Sequence, residues 1–121
     1  MVLHDGLLSV AGLYDAERQP GELAFLSACK TATPGQRCLA EAITLSTALR
    51  YAGWWHVIGT LGSVWDQASA AVGVDTYRRT VRDGRLEVGL LAEALHHTVR
   101  SLRDAHPSRP GMWTQFVRAG L

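Results

Sequence analysis

Residues 23–28 read LAFLSA, a nearly continuous apolar run of strand length, the pattern of a strand covered on both faces as in a parallel sheet. The run ends at Cys29, where a loop, KTATPGQR, begins. From Leu39, the positions Ala42, Ile43, Ser46, Leu49 and Ala52 recur at spacings of three and four while Glu41 and Arg50 point elsewhere, which predicts an amphipathic helix closed by Gly53. HVIGTL, residues 56–61, is a second short buried strand. A helix is expected from Asp66, a suitable N-cap, to Asp83, with Ala68, Ala71, Val72, Tyr77 and Val81 inward and Gly84 stopping it. Gly73 within it costs up to about 1 kcal/mol relative to alanine. A third helix is expected over 88–105, with Leu91, Ala92, Leu95, Val99 and Leu102 along one stripe and Pro107 beyond its end; MWTQFVRAG then closes the chain as a short strand or extended segment. Ahead of all these, Asp5-Gly6 between apolar residues reads as a tight turn, a short helix is expected around 10–17, and RQPGE breaks the chain.

The order strand, helix, strand, helix, helix, strand implies an α/β layer structure, with right-handed crossovers if the strands are parallel. No internal repeat, charge block or low-complexity linker divides the chain, so residues 1–121 read as a single domain. In such sheets reactive groups sit just past the carboxyl ends of strands, where the backbone turns away and leaves a crevice. Cys29 occupies that place in the sequence.

Bulk properties narrow the function classes. A chain of 121 residues can bury roughly two thirds of its unfolded surface, and 47% hydrophobic against 19% charged residues describes a soluble globular domain. Twelve basic residues against eleven acidic ones leave a formal charge of +1, so no field points to nucleic acid or an anionic membrane. No signal-peptide pattern opens the chain and no run reaches the ~18 apolar residues of a membrane span, which reads as an intracellular, cytoplasmic protein. The two cysteines, Cys29 and Cys38, are too few for a disulfide framework and match no CxxC spacing. Lys30, the single lysine, directly follows Cys29.

LAFLSACKT, then LAEAITLSTALRYAGWWHVIGTL, SVWD, TYRRTVRDG, AEALHHTVRSLRDAHP and MWTQFVRAG, in this order and spacing across nearly the whole chain, together resemble the C-terminal portion of a CHAT domain, a caspase-like module often found beside tetratricopeptide repeats. The Arg-rich composition is similar to that of high-GC bacterial members. The resemblance implies a caspase-like three-layer α/β sandwich that is partial here, its N-terminal strands, including the histidine-bearing one, being absent. It also implies cysteine-peptidase chemistry by a His/Cys dyad, with the nucleophile falling on Cys29 in SACKT. The partner histidine, in an HxxCHG-type motif, is expected upstream of VLHDGLL, outside these 121 residues. His4 in HDG falls in the family's turn segment, after the catalytic motif. At Gly62, in GTLGSVWD, family members usually carry tryptophan. A large aromatic lost there would cost about 3 kcal/mol or more of packing if nothing else filled the space.

Two functions follow from the resemblance: part of a cysteine endopeptidase, inactive alone for want of the partner histidine, or a non-catalytic, degenerate interaction module or gene remnant. A cysteine attacks as its thiolate and needs a base or cationic surroundings to lower its pKa from about 8.5; the alternative for Cys29 is a buried, inert thiol. Cys38, ahead of the first long helix, matches no functional position. Asp66 falls on a family position that is usually acidic and is read either as part of a substrate pocket for a basic side chain or as a helix N-cap. Trp65, in SVWD, is a candidate substrate contact; Trp54, Trp55 and Trp113 read as core or interface anchors. His96 and His97 are adjacent on a helix, about 100° apart, and cannot chelate one metal from a common face. His56 begins a strand, and His106 ends a helix, where a cation suits the dipole. No HExxH or Cys/His cluster supports zinc, and no cofactor is implied. The partners implied are a peptide or protein substrate, a tetratricopeptide-repeat region, and a second copy or an upstream polypeptide completing the sheet, since without the histidine-bearing strand LAFLSA would keep an open, apolar edge.

Overall fold

The computed structural model of the chain describes residues 2–3, 6–7, 11–12, 21–26, 36–62 and 64–120. In chain order the elements are strands β1 (Val2–Leu3), β2 (Gly6–Leu7) and β3 (Leu23–Leu26), helix α1 (Gln36–Tyr51), strand β4 (His56–Thr60), helix α2 (Asp66–Thr80), strands β5 (Val81–Arg82) and β6 (Arg85–Leu86), helix α3 (Leu91–Ala105) and strand β7 (Phe116–Gly120). Single 3-10 turns at Val88–Leu90 and Pro110–Met112 lead into α3 and follow it. The main sheet has the order β3-β4-β7, β3 running parallel and β7 antiparallel to the central β4. The other two sheets are small antiparallel hairpins, β1-β2 and β5-β6.

Alternation along the strands explains the layers. Ala24 and Val57 turn to one face and meet Leu49 of α1, with Leu26, Leu45 and Trp54 packed around them. Ile58 turns to the other face and meets Val72 of α2 and Leu91 and Leu95 of α3, with Leu23, Phe25 and Phe116 against the cluster. Helices therefore cover both sides of the sheet, and all five residues of β4 are buried, the polar His56 and Thr60 at its ends included, as expected of a central strand covered on both faces.

Several positions depart from the periodicity. α1 begins at Gln36, so Cys38 lies inside the helix and not ahead of it. The buried residues of its second half are Ala48 and Leu49, whereas Ile43, expected inward, is 54% exposed. α2 ends at Thr80, short of Asp83, because Val81 turns extended and the chain folds back through a hairpin. Asp83 and Gly84 form its turn, both with positive φ (49° and 74°), the conformation that makes Asp-Gly a hairpin signal. Gly84 is thus a turn residue and not the helix stop. On α2 the buried residues are Ala68, Ser69, Val72, Thr76 and Thr80, while Ala71, Tyr77 and Val81 are exposed. Threonine substitutes for an apolar residue here by returning its hydroxyl to the helix: Thr80 Oγ1 donates to the carbonyls of Thr76 and Tyr77, 2.9 and 3.1 Å away. On α3, Leu91 and Leu95 are buried and Ala92 is exposed, Ala94 and Thr98 taking the inward places. Asp66 is the first helical residue of α2 and Trp65 the capping position, with no side-chain cap bond, which removes the N-cap reading of Asp66. Leu3 stands opposite Gly6 in the antiparallel pair β1-β2, so the tight reversal expected here is present, with Gly6 as the first residue of β2. Of the helix expected around 10–17, residues 11 and 12 are helical; the rest lies outside the described residues.

Two polar links join neighbouring elements, one between the two helices on the Ile58 face and one within the sheet. Between α2 and α3, Asp75 Oδ2 accepts from Arg79 Nε and from Thr98 Oγ1, each at 2.8 Å. The Arg79 hydrogen bond first, then that of Thr98, holds the Asp75 carboxyl below its ordinary 3.8. Between β4 and β7, Arg118 Nη2 lies 3.0 Å from His56 Nδ1; a guanidinium only donates, so Nδ1 accepts and the neutral ring carries its proton on Nε2. Burial, then the charges of Arg118 and Arg50, pulls the His56 pKa below 6.5, against a raising pull from Glu22. Gly120 makes this contact possible. Its φ is +151°, and a Cβ there would stand 2.6 Å from His56 Nδ1 and 2.9 Å from the Trp55 carbonyl oxygen.

Each link carries a signature. Asp75→Ala removes an acceptor shared by two donors and leaves the buried Thr98 hydroxyl without its partner, a loss of about 1–2 kcal/mol at neutral pH. A depressed carboxyl pKa stabilises fully above the unfolded value of 3.8 and ceases to as pH falls through the folded pKa. Urea denaturation should therefore show the gap between parent and variant narrowing below that value. His56 acts in a higher window: its neutral form is favoured in the fold, so stability is complete above 6.5 and declines as pH falls through the lower folded pKa. His56→Gln keeps an acceptor for Arg118 but cannot titrate, and a urea series from about pH 7.5 to about pH 5 should show this decline in the parent and not in the variant.

Candidate functional site

Because β3 and β4 are parallel, both strands leave the sheet at one rim, and β7, running the other way, enters beside them: Thr60 stands opposite Phe116. Three chain passages thus converge there. One is the exit from β3, where Cys29 follows Leu26 by three residues; Cys29 and Lys30 lie outside the described residues. The second is the exit from β4 through residues 61–65 to the start of α2. The third is the segment 106–115 that returns from α3.

The second and third passages are fastened together. Leu61 N–H donates to the Gln115 carbonyl at 2.8 Å, continuing the β4–β7 ladder past the last strand pair. The amide end of Gln115 lies over Gly62, where an added Cβ would meet Oε1 at 2.6 Å. At Gly62, where the resemblance leads to the expectation of a large aromatic, Gln115 supplies side-chain atoms against the backbone. Farther along, Trp65 is 64% exposed, and the Arg109 guanidinium stands over its ring, 5.7 Å from the centroid, a cation–π distance. The return segment is braced internally: Trp113 Nε1 donates to the His106 carbonyl at 3.2 Å and Thr114 Oγ1 to the Pro110 carbonyl at 2.9 Å.

Of the residues singled out from sequence, the structure sets Trp65 and Asp66 together on the passage that leaves β4. It sets His56 at the other end of β4, opposite Leu23 at the amino end of β3, roughly 13 Å of strand away from the rim at about 3.3 Å per residue. His96 and His97 lie on α3, their rings 5.8 Å apart in an edge-on arrangement, with His97 Nε2 3.5 Å from Glu93 Oε1. His106 caps α3 and begins the return segment. Arg109 is the residue that sequence reasoning missed. It stands outside any helical or strand period, and its one local signal is the Pro-Gly that follows it. Among the described residues no group of three or more His, Cys, Asp and Glu side chains could hold a metal ion, and no helix is long and apolar enough to cross a membrane.

The rim can present an aromatic face, a guanidinium and a helix start to an extended chain lying across the strand ends, next to the point where β3 delivers the residues that precede Cys29. Comparison with known proteins adds the remaining observation. No curated protein and no solved structure gives a significant match. The family model described as CHAT domain matches residues 1–121, the whole length on which the sheet, its three covering helices and the rim are built, and the chain belongs to the CHAT domain family.

Proposed function

We propose that the chain is the C-terminal portion of a caspase-like, cytoplasmic cysteine endopeptidase domain with Cys29 as its nucleophile, and that it acts once a histidine is supplied by polypeptide outside these residues. The observation that carries this reading is the family match over 1–121 combined with the sheet order, in which the strand leading to Cys29 is an edge strand bonded to β4 alone among the described strands. A further strand added along β3 ends at the same rim if it runs parallel, and brings a residue at its carboxyl end beside the exit of β3. That is where a base must stand to take the Cys29 proton.

The chemistry then balances within the dyad. The histidine accepts the thiol proton, the Cys29 sulfur attacks the scissile carbonyl carbon, and collapse of the tetrahedral intermediate breaks the C–N bond while the imidazolium returns the proton to the leaving amine. Water hydrolyses the thioester and restores the thiol. Backbone N–H groups beside the nucleophile would hold the oxyanion. Trp65 supplies an apolar face for the substrate chain, and Asp66 a carboxylate for a basic side chain. A peptide or protein is the substrate in this reading, and a tetratricopeptide-repeat region is a neighbour that could present it.

A peptide bearing a thiol-reactive end group tests the proposal, with labelling of Cys29 and Cys38 resolved by mass spectrometry. In the chain alone both thiols should label slowly. Adding a polypeptide that carries a histidine-ending apolar strand should speed labelling of Cys29 by at least about tenfold, while Cys38 is unchanged and a His→Ala version of that polypeptide has no effect. If Cys29 and Cys38 label alike in every mixture, the nucleophile assignment falls and the non-catalytic interaction module is the reading that stands.

A further inference from the structure

The second edge of the sheet carries an inference of its own, independent of Cys29. β7 is bonded to β4 and to no other described strand, and a trough lies on each of its faces. On the α1 side a trough of about 380 Å³ is lined mainly by apolar groups, Ile43, Gly59, Leu61, Val117 and Ala119 among them; Arg50 and Arg118 also border it, but their guanidinium groups are engaged at the amino end of β4, with the Trp55 carbonyl and with His56 Nδ1. The small side of Ala119 and the bare backbone of Gly59 keep its floor low. On the α3 side a trough of about 290 Å³ has Val99 and Phe116 in its floor and His96, Arg100 and Arg103 along its wall. Among the described residues no acidic side chain lines either trough. Arg103 shares the carboxylate of Asp104, whereas Arg100 has no ion-pair partner among the described residues.

An added strand lies about 4.8 Å from its neighbour, and its successive side chains fall on opposite faces. One series would lean over Val117 and Ala119 into the apolar trough, and the other would meet the arginines. We propose that the outer edge of β7 binds an extended segment of a partner protein in which apolar and acidic residues alternate. The apolar series is bound by burial against Ile43 and Leu61, the acidic series by Arg100 and Arg103, and the backbone by the ladder hydrogen bonds that an edge strand offers. A second copy of this chain is the poorer occupant. Two-fold pairing of β7 with itself would bring two sets of Arg100, Arg103 and Arg118 toward one another, and like charges facing across a strand pair destabilise it.

Fluorescence anisotropy on the whole chain tests this with three labelled peptides: alternating Glu and Leu, the same composition arranged in pairs of each, and alternating Lys and Leu. The alternating acidic peptide should bind at least about tenfold more tightly than either of the others. In the double variant Arg100→Glu/Arg103→Glu, confirmed as folded by an unchanged thermal melt, the preference should invert toward the lysine peptide. Equal binding of alternating and paired acidic peptides would overturn the proposal, since charge alone then suffices. So would an unchanged preference in the double variant, or a sedimentation profile showing that the parent chain pairs with itself and that the double variant does not.

Discussion

The register of β4 between its two neighbours is the constraint from which the rest of the domain follows. All five of its residues are buried, and each face has its own set of partners, Ile58 with Val72, Leu91 and Leu95 on one side and Val57 with Ala24 and Leu49 on the other. A slip of one residue would exchange these sets and put the His56 ring against α1. The pairing is fixed at its amino end by the His56–Arg118 contact across to β7 and past its carboxyl end by the Leu61–Gln115 hydrogen bond. With β4 held at both ends, the exits of the parallel strands share one rim, and everything assigned to the candidate site depends on that sharing.

The two ends of β4 do different work because their polar groups are arranged differently. At the amino end, the His56 ring is buried, Arg118 donates to it, and Arg50 Nη1 donates to the neighbouring Trp55 carbonyl at 2.6 Å. These groups are occupied in holding strands, loop and helix together. At the rim, Trp65 is exposed and the guanidinium over it, Arg109, is exposed as well. A group that spends its hydrogen bonds on the fold has few left for a ligand, whereas an exposed aromatic under a cation is available on one face to an incoming chain. The occupied end is therefore structural and the exposed end is the side on which substrate chemistry is sought.

Sequence reasoning located the three sheet strands, the three long helices and their order because buried strands and amphipathic helices leave periodic traces. It failed where an inward place is filled by something other than a large apolar residue. Thr76 and Thr80 are buried on α2 although threonine counts as polar: the Thr80 hydroxyl is returned to helix carbonyls, whereas the Thr76 hydroxyl is buried with no hydrogen-bond partner among the described residues. The β5-β6 hairpin was written in Asp83-Gly84 but was read as a helix stop, because glycine serves both purposes and only the preceding aspartate, also at positive φ, distinguishes them. On the rim, Trp65 and Asp66 were found from the motif SVWD, while Arg109 was not, because its place depends on a non-local contact spanning α2 and α3. Cys29 was selected by its position after an apolar run, and the described part of that run, Leu23–Leu26, is a strand of the main sheet.

Three of the positions expected inward and found exposed lie beside the edges of the sheet. Ile43 and Ala92 belong to the apolar stripes of α1 and α3, yet both are exposed, and both line the troughs flanking β7. Tyr77, inward by the spacing of α2, is 41% exposed and lies with its ring 6.4 Å from that of Phe25 on β3. Ala71 and Val81, expected inward as well, are exposed and line neither trough, so part of the misplaced apolar surface, and not all of it, lies where the sheet ends. An edge strand flanked by exposed apolar side chains is, in general, a place where added backbone would gain apolar cover as well as ladder hydrogen bonds. Among the described residues the surroundings of the two edges differ in kind: basic side chains wall the α3 trough beside β7, and beside β3 the Phe25–Tyr77 contact is aromatic.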